Sequence, residues 1–504
     1  MMNPGSALYT SSRRNTCDMK SPLRPIAIIL LVFLVKLASV FYLVHLSKCN
    51  GTGSFMGIAS MSGDAHSYIT PIDNLLSEGT YYYDDAKAGR MPYLGSLYMV
   101  FRLFTSKELA LSALVVLQVL IGSISIYCMG KLTSMLIGLR SAFWVFIVLS
   151  LATFHITIFD IAILTESLGT AFIGIFLYLH YVYLTQGRNW KDLVYSGIFL
   201  ALTVLFKPYL SLLFIAVGIE FLWFHRNHGL VYNLRKTVVC SICVIAPFFI
   251  INLPWTVRNF IVFQRFVPFQ QDVNAGYGYS NATLAVYSFI QSIGESYVSW
   301  DKRSAGCYFE PVEGLPCEYE IPSRILGANL TIEKIHEART VYGSYLKGPN
   351  DSLEQRTIAI FNDLTEAYKK DHPISYHLLT PLVLVKHFLI HSGSYFMPIS
   401  SSSPCFHTYQ IFIKVLQSVL YYAALIFGMI GLMLIFRKNG SSFLLLLIPI
   451  YLVLFFPIFM ERSETRYFHL AFPTLLIGLT FVLHRFISPE NSILIKFKRF
   501  FRTQ

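Results

Sequence analysis

The sequence predicts an all-α integral membrane protein with about ten transmembrane helices. Three observations predict it. First, 54% of the 504 residues are hydrophobic and only 13% are charged, about half the charged share of a soluble domain. Second, the apolar residues recur in blocks along most of the chain, each near the roughly 20 residues a span needs. Third, the basic residues that give a net charge of +12 sit in short loops between those blocks. There they read as orientation markers. No aromatic-interleaved basic patch is present, so nucleic acid is excluded as a partner and the lipid bilayer is expected instead. Eight cysteines in a chain this long are not a disulfide framework.

Residues 1–24 form a polar, basic tail expected in the cytoplasm. The first span, 25–46, is longer than the apolar region of a signal peptide and lacks a small-x-small cleavage site, so it reads as a retained anchor. Further spans follow at 108–130, 141–159, 161–184, 192–206, 208–224, 237–254, 411–436, 443–460 and 467–486. With the N-terminus inside, the inside loops carry Lys131 and Arg140, Arg188 and Lys191, Arg226, Arg235 and Lys236, and Arg437 and Lys438. The C-terminal tail, 487–504, adds Lys496, Lys498, Arg499 and Arg502. Every short inside loop is then basic, which places both termini in the cytoplasm.

Residues 25–254 thus hold spans one to seven and an outer loop at 47–106. Residues 255–410 form a large extracytoplasmic subdomain, and 411–486 hold the last three spans. In the first outer loop, Ser67–Glu78 and Tyr93–Phe104 carry apolar stripes at helical spacing and read as helices on the membrane surface. In the second, 331–370 reads as a soluble helical run ended by Pro373, and 378–390 as an interfacial helix. Cys307 and Cys317 share this outer loop and are candidates for a disulfide, with free thiols as the alternative.

Charge inside or beside a span is expensive, so each case is a candidate functional residue. Asp64, in Gly63-Asp64-Ala65-His66-Ser67-Tyr68, follows the first span on the outer side. Arg90-Met91-Pro92-Tyr93 closes the same loop. Glu166 lies near the outer end of the fourth span and Lys207 at the tight turn before Pro208. Arg258 follows Pro254-Trp255 at the end of the seventh span. Arg466 lies in Glu461-Arg462-Ser463-Glu464-Thr465-Arg466-Tyr467, before the last span. Lys36, mid-span, is expected to face the bundle interior.

The order Asp64-x3-Tyr68, Asn74-Leu75, Gly79-x-Tyr81 and Arg90-x-Pro92-Tyr93 resembles the first outer loop of GT-C glycosyltransferases. The nearest branch is the protein O-mannosyltransferase and lipid A aminoarabinose transferase group, in its bacterial form. Thr165-Glu166, Pro254-Trp255-x2-Arg258-Asn259 and Arg466-Tyr467 follow in the same order. The chain departs from the mannosyltransferases at Ala65, where that branch has a second acidic residue. The resemblance implies a GT-C fold in the plasma (inner) membrane, with the active site extracytoplasmic. It also implies transfer of a sugar from a polyprenyl-phosphate donor to a hydroxyl acceptor on a lipid, glycan or protein.

Under that resemblance Asp64 is the general base. Glu166 lies nearby, to orient the acceptor or to act on Asp64 through like-charge proximity. Arg90 and Arg466, with Arg258 as a third, are the candidate ligands of the donor phosphate. His66, Tyr68, Tyr93 and Lys207 are candidate substrate contacts. Such a donor needs no cofactor beyond the lipid-linked sugar, and with no dense ligand set in the sequence no obligatory metal is expected. The alternatives are a polysaccharide polymerase and a non-enzymatic transporter or lipid-glycan flippase.

Overall fold

The computed structural model describes residues 23–51, 53–61, 63–83, 87–186, 189–226, 229–270, 280–295, 308–310, 317, 319–401, 404–438 and 440–487. Both tails apart from Leu23, Arg24 and the first residue of the C-terminal one, together with Arg188 and Cys307, lie outside them. So does any Cys307–Cys317 pairing.

Every apolar block folds as helix. The first part of the bundle comprises α1 (Leu23–Cys49), α4 (Lys107–Ile137), α5 (Arg140–Ala152), α6 (Thr165–Thr185), α7 (Trp190–Phe206), α8 (Leu213–His225) and α9 (Leu230–Phe263). The outer loop between α1 and α4 carries α2 (Gly63–Glu78) and α3 (Tyr93–Arg102), as its apolar spacing predicts. Among the described residues, seven helical segments are long and apolar enough to cross a membrane, or eight if the bent pair 140–160 is one span. The sequence counts ten because it counts apolar blocks. Trp190–Phe206 has only 17 residues, and Phe443–Phe459 is shorter than a full span. The segment expected as a straight span over 141–159 instead bends by 77° between Arg140–Ala152 and Phe154–Asp160. Thr153, Ile156, Thr157 and Ile158 crowd this stretch with β-branched side chains, which favour helix weakly. It closes as two short 3-10 turns.

Helix α6 packs between α4 and α7, while α9 backs α7 and α8. Its 34 residues span about 51 Å, more than the roughly 30 Å hydrocarbon core. It therefore runs on past Pro254, where the sequence reading ends its span, and delivers Arg258 to the outer loop. The segment 255–410 holds α10 (Asn281–Ser292), α11 (Ile332–Lys347) and α12 (Asp351–Asp371) around a core of its own, with Phe289, Ile335, Tyr342, Phe361 and Leu364 buried. The expected run 331–370 is broken at Gly348-Pro349. Then come α13 (Thr380–Leu389), α14 (Tyr409–Ala423), α15 (Met429–Lys438), α16 (Phe443–Val453) and α17 (Phe472–Ile487). Gly428 and Gly431 on the segment 424–438 meet Leu475 and Gly478 of α17, backbone against backbone. Close approach through small residues is what packs helices where water supplies no driving force.

Besides the Lys207–Glu166 pair described below, two buried polar pairs lie within the bundle among the described residues. Lys36 Nζ meets Asp160 at 2.9 Å, each 1% exposed, so Lys36 does face the interior. The Ser167 hydroxyl donates to Asp160 Oδ1 at 2.5 Å, and Gln118 Nε2 donates to the Asp160 carbonyl at 2.8 Å. His180 Nε2 lies 2.8 Å from Glu220. Removing one partner of such a pair strands the other charge. Lys36→Met is therefore expected to cost about 3–5 kcal/mol. Lys36→Met with Asp160→Asn should recover most of it, as read from thermal unfolding of the purified protein. Equal midpoints for wild type and the single variant would refute a stabilising pair.

Cys49, at the end of α1, is disulfide-bonded to Cys405, in the loop before α14. The sequence reading does not expect this pairing, since it considers only Cys307 and Cys317 for a bridge. The bridge joins positions 356 apart, which no local spacing could signal.

Candidate functional site

The site is built by a short strand contact. Phe55–Met56 pairs antiparallel with Ala59–Ser60. Ser60 then bridges to the 160–164 segment: its amide donates to the Ile161 carbonyl at 2.7 Å, and the Ile163 amide donates to its carbonyl. This clip sets the start of α2 beside the start of α6. Asp64 and Glu166 each occupy the first turn of their helix, where the helix dipole favours a negative charge.

Three further segments converge there. Arg466, in the 3-10 turn Thr465–Ala471 before α17, sets Nη1 2.6 Å from Asp64 Oδ2 and Nε 3.8 Å from Glu166 Oε1. Its Nε also contacts Glu464. Lys207 Nζ donates to Glu166 Oε1 at 2.7 Å. Gly169, one turn into α6, leaves room for the Lys207 stem: a Cβ there would stand 3.1 Å from Lys207 Cγ. Arg90 reaches in from the end of the first outer loop. Its Nη2 lies 3.9 Å from Asp64 Oδ1, its Nε donates to the Ser67 hydroxyl at 3.1 Å, and its guanidinium stacks on the Tyr68 ring.

Three carboxylates and three cations thus meet at one end of the bundle, and their charges balance. Glu166, Lys207 and Glu464 are buried, while Asp64, Arg90 and Arg466 keep partial access to solvent. Burial pushes the Glu464 carboxyl above the usual carboxylate range, and Arg466 beside it acts the other way.

Six of the predicted residues, Asp64, Tyr68, Arg90, Glu166, Lys207 and Arg466, are brought together. Three are not. Arg258 donates to the carbonyls of Lys87 at 2.6 Å and Tyr81 at 3.0 Å, and stacks on Tyr81 and Trp255. Its donors hold the first outer loop, and Tyr81 in turn donates its hydroxyl to the Arg90 carbonyl at 3.1 Å. Arg258 therefore positions Arg90 rather than facing the carboxylates. Tyr93 donates to Asn252 Oδ1 at 2.7 Å on α9, and burial raises its phenol pKa. His66 is exposed.

The sequence reading singles out neither Glu464 nor Asp160 as a partner of the charged residues it lists. Glu464 stood in the quoted outer-loop motif but carried no assigned role. Asp160 lay hidden at the end of an apolar run; its carboxylate was the only available signal.

Among the described residues, one His/Cys group could hold a metal: His45, Cys49 and Cys405, with ligand atoms within 4.8 Å of one another. Here the two sulfurs are bonded to each other. Neither a family model nor a curated protein matches the chain.

Proposed function

We propose that this chain is an inverting membrane glycosyltransferase of the GT-C type. It would move a sugar from a polyprenyl-phosphate donor to a hydroxyl acceptor on the extracytoplasmic side. The observation that carries the proposal is the meeting of Asp64 with Arg90, Arg466, Glu166 and Lys207, drawn from distant segments to one end of an apolar bundle. Such a donor is a singly charged phosphodiester whose leaving group gains a second charge as the glycosidic bond breaks. Guanidinium groups suit that developing charge, and preorganised electrostatics of this kind is usually the largest catalytic contribution.

The steps balance on these residues. The donor phosphate competes with Asp64 for Arg466 and Arg90, and frees the carboxylate. Asp64 takes the acceptor proton as the acceptor oxygen attacks the anomeric carbon. The bond to the phosphate oxygen breaks, and Arg90 and Arg466 hold the phosphomonoester. Lys207 holds Glu166 fixed beside Arg466. One proton has moved onto Asp64 and one negative charge onto the leaving group, so the site's total charge is unchanged.

In this reading the ten helical blocks cross the plasma (inner) membrane ten times, with both termini in the cytoplasm. The Cys49–Cys405 bridge supports the orientation, because disulfides persist in oxidising compartments and both cysteines lie on the Asp64 side of the chain's topology.

A transporter or lipid-glycan flippase is favoured by one observation: the buried Lys36–Asp160 pair beside a broken helix, a placement found in transporters. Its hydrogen bonds from Ser167 and Gln118 equally suit a structural anchor. The test offers membranes a panel of polyprenyl-phosphate sugars with EDTA present and follows free polyprenyl phosphate. Release is expected with one donor class. No release with any donor, together with lipid movement across the bilayer, would replace the enzyme reading with the flippase.

A further inference from the structure

A separate feature lies on the membrane-facing side of α14. A trough of about 590 Å³ runs along one face of the segment 414–427, within the range typical of ligand pockets. Its lining repeats at helical spacing, so it follows one side of a single span. One end is polar. Lys414 lies there with Ser392 and Ser394 from the preceding loop, whose hydroxyls are 2.7 Å apart. Lys414 Nζ donates to the Ile399 carbonyl at 3.1 Å, which uses one of its three protons. Beyond it the lining is mainly apolar: Ser418 and Tyr422 add hydroxyls midway beside Val419, and Ile426 and Phe427 form the far end. Val419, Ile426 and Phe427 are exposed in a segment whose mean hydropathy reaches 2.4.

We propose that this trough binds one anionic glycerophospholipid of the bilayer, with its phosphate on Lys414 and an acyl chain along Val419–Phe427. The polarity gradient and the length argue for a lipid. Thirteen helical steps separate Lys414 from Phe427, about 20 Å, against roughly 15 Å for one leaflet of the hydrocarbon core. The charge argues for an anionic headgroup: a cation stands at the polar end, and the two serines beside it are neutral. The proposal does not rest on glycosyl transfer, since none of these residues belongs to the Asp64 cluster.

The experiment uses the full chain in nanodiscs of phosphatidylcholine with a minor share of phosphatidylglycerol. Lipid retained after transfer to neutral detergent is counted by native mass spectrometry. Wild type is expected to keep one phosphatidylglycerol in preference to phosphatidylcholine. Lys414→Gln should weaken that preference about fivefold, the effect of one cation at a lipid surface. Val419→Trp, which fills the trough, should lower retention of both lipids at least about tenfold. Ile250→Trp, at a lipid-facing position on α9, should match wild type. Equal retention of the two lipids by wild type, or unchanged preference in Lys414→Gln, would overturn the proposal. Displacement by polyprenyl phosphate at equal concentration would also overturn it, and would make the trough the seat of a carrier lipid.

Discussion

Asp64→Asn is expected to lower release of free polyprenyl phosphate at least about a hundredfold, with the donor still bound. A positioned general base contributes about 10²–10⁴ to rate, and asparagine keeps the shape while removing the proton acceptor. The substitution also removes the partner that Arg466 holds at 2.6 Å. Arg466 then becomes more available to phosphate, so donor affinity should hold or rise while turnover falls. That split separates a base from a structural cap of α2, whose loss would lower stability and leave the turnover of folded protein intact. Membranes of wild type and variant, assayed with EDTA for release and separately for donor binding, decide it. Equal turnover would remove Asp64 from the chemistry.

Arg466→Met is expected to have the largest effect on the folded state. The side chain alone separates Asp64, Glu166 and Glu464, and it contacts all three. Its loss leaves Glu464 buried beside Glu166 without the guanidinium that contacts both. The cost is about 3–5 kcal/mol, enough to lower the yield of folded protein sharply. Arg466→Lys is the informative companion. It retains the charge, loses the planar fork that serves several oxygens at once, and should fold while losing roughly a hundredfold in turnover. Thermal unfolding and release rates of both variants check this. A Met variant as stable and as fast as wild type would sink the arrangement.

Much of the site was legible because charge is costly beside apolar blocks. Asp64, Glu166, Lys207 and Arg466 each stand at the edge of such a block on one side of the bundle, and topology alone brings those edges together. Arg90 was legible through its motif. Arg258 illustrates the limit. It lies at the end of a span like the others, but α9 continues two turns beyond Pro254 and directs the guanidinium to loop carbonyls. A Pro inside a helix does not always end it, and nothing local announced the extension. The bend in the third block was hidden for a similar reason. No Gly or Pro marks the 77° bend after Ala152, so the apolar run reads as continuous. The Cys49–Cys405 bridge needs three-dimensional closure, whereas sequence proximity suggested Cys307 and Cys317.

The Asp64–Arg466 contact has a consequence for synthesis of the chain. The residues are 402 positions apart, and Cys49 waits 356 positions for Cys405. At about 5–20 residues per second, Cys405 is made roughly 20–70 s after Cys49, and Arg466 later still. A chain stalled or clipped before its last span would already display Asp64, Arg90 and Glu166, yet carry none of the guanidinium that joins the carboxylates. Under the proposed function, competence arrives in one late event, and incomplete chains left in the membrane are expected to be inert.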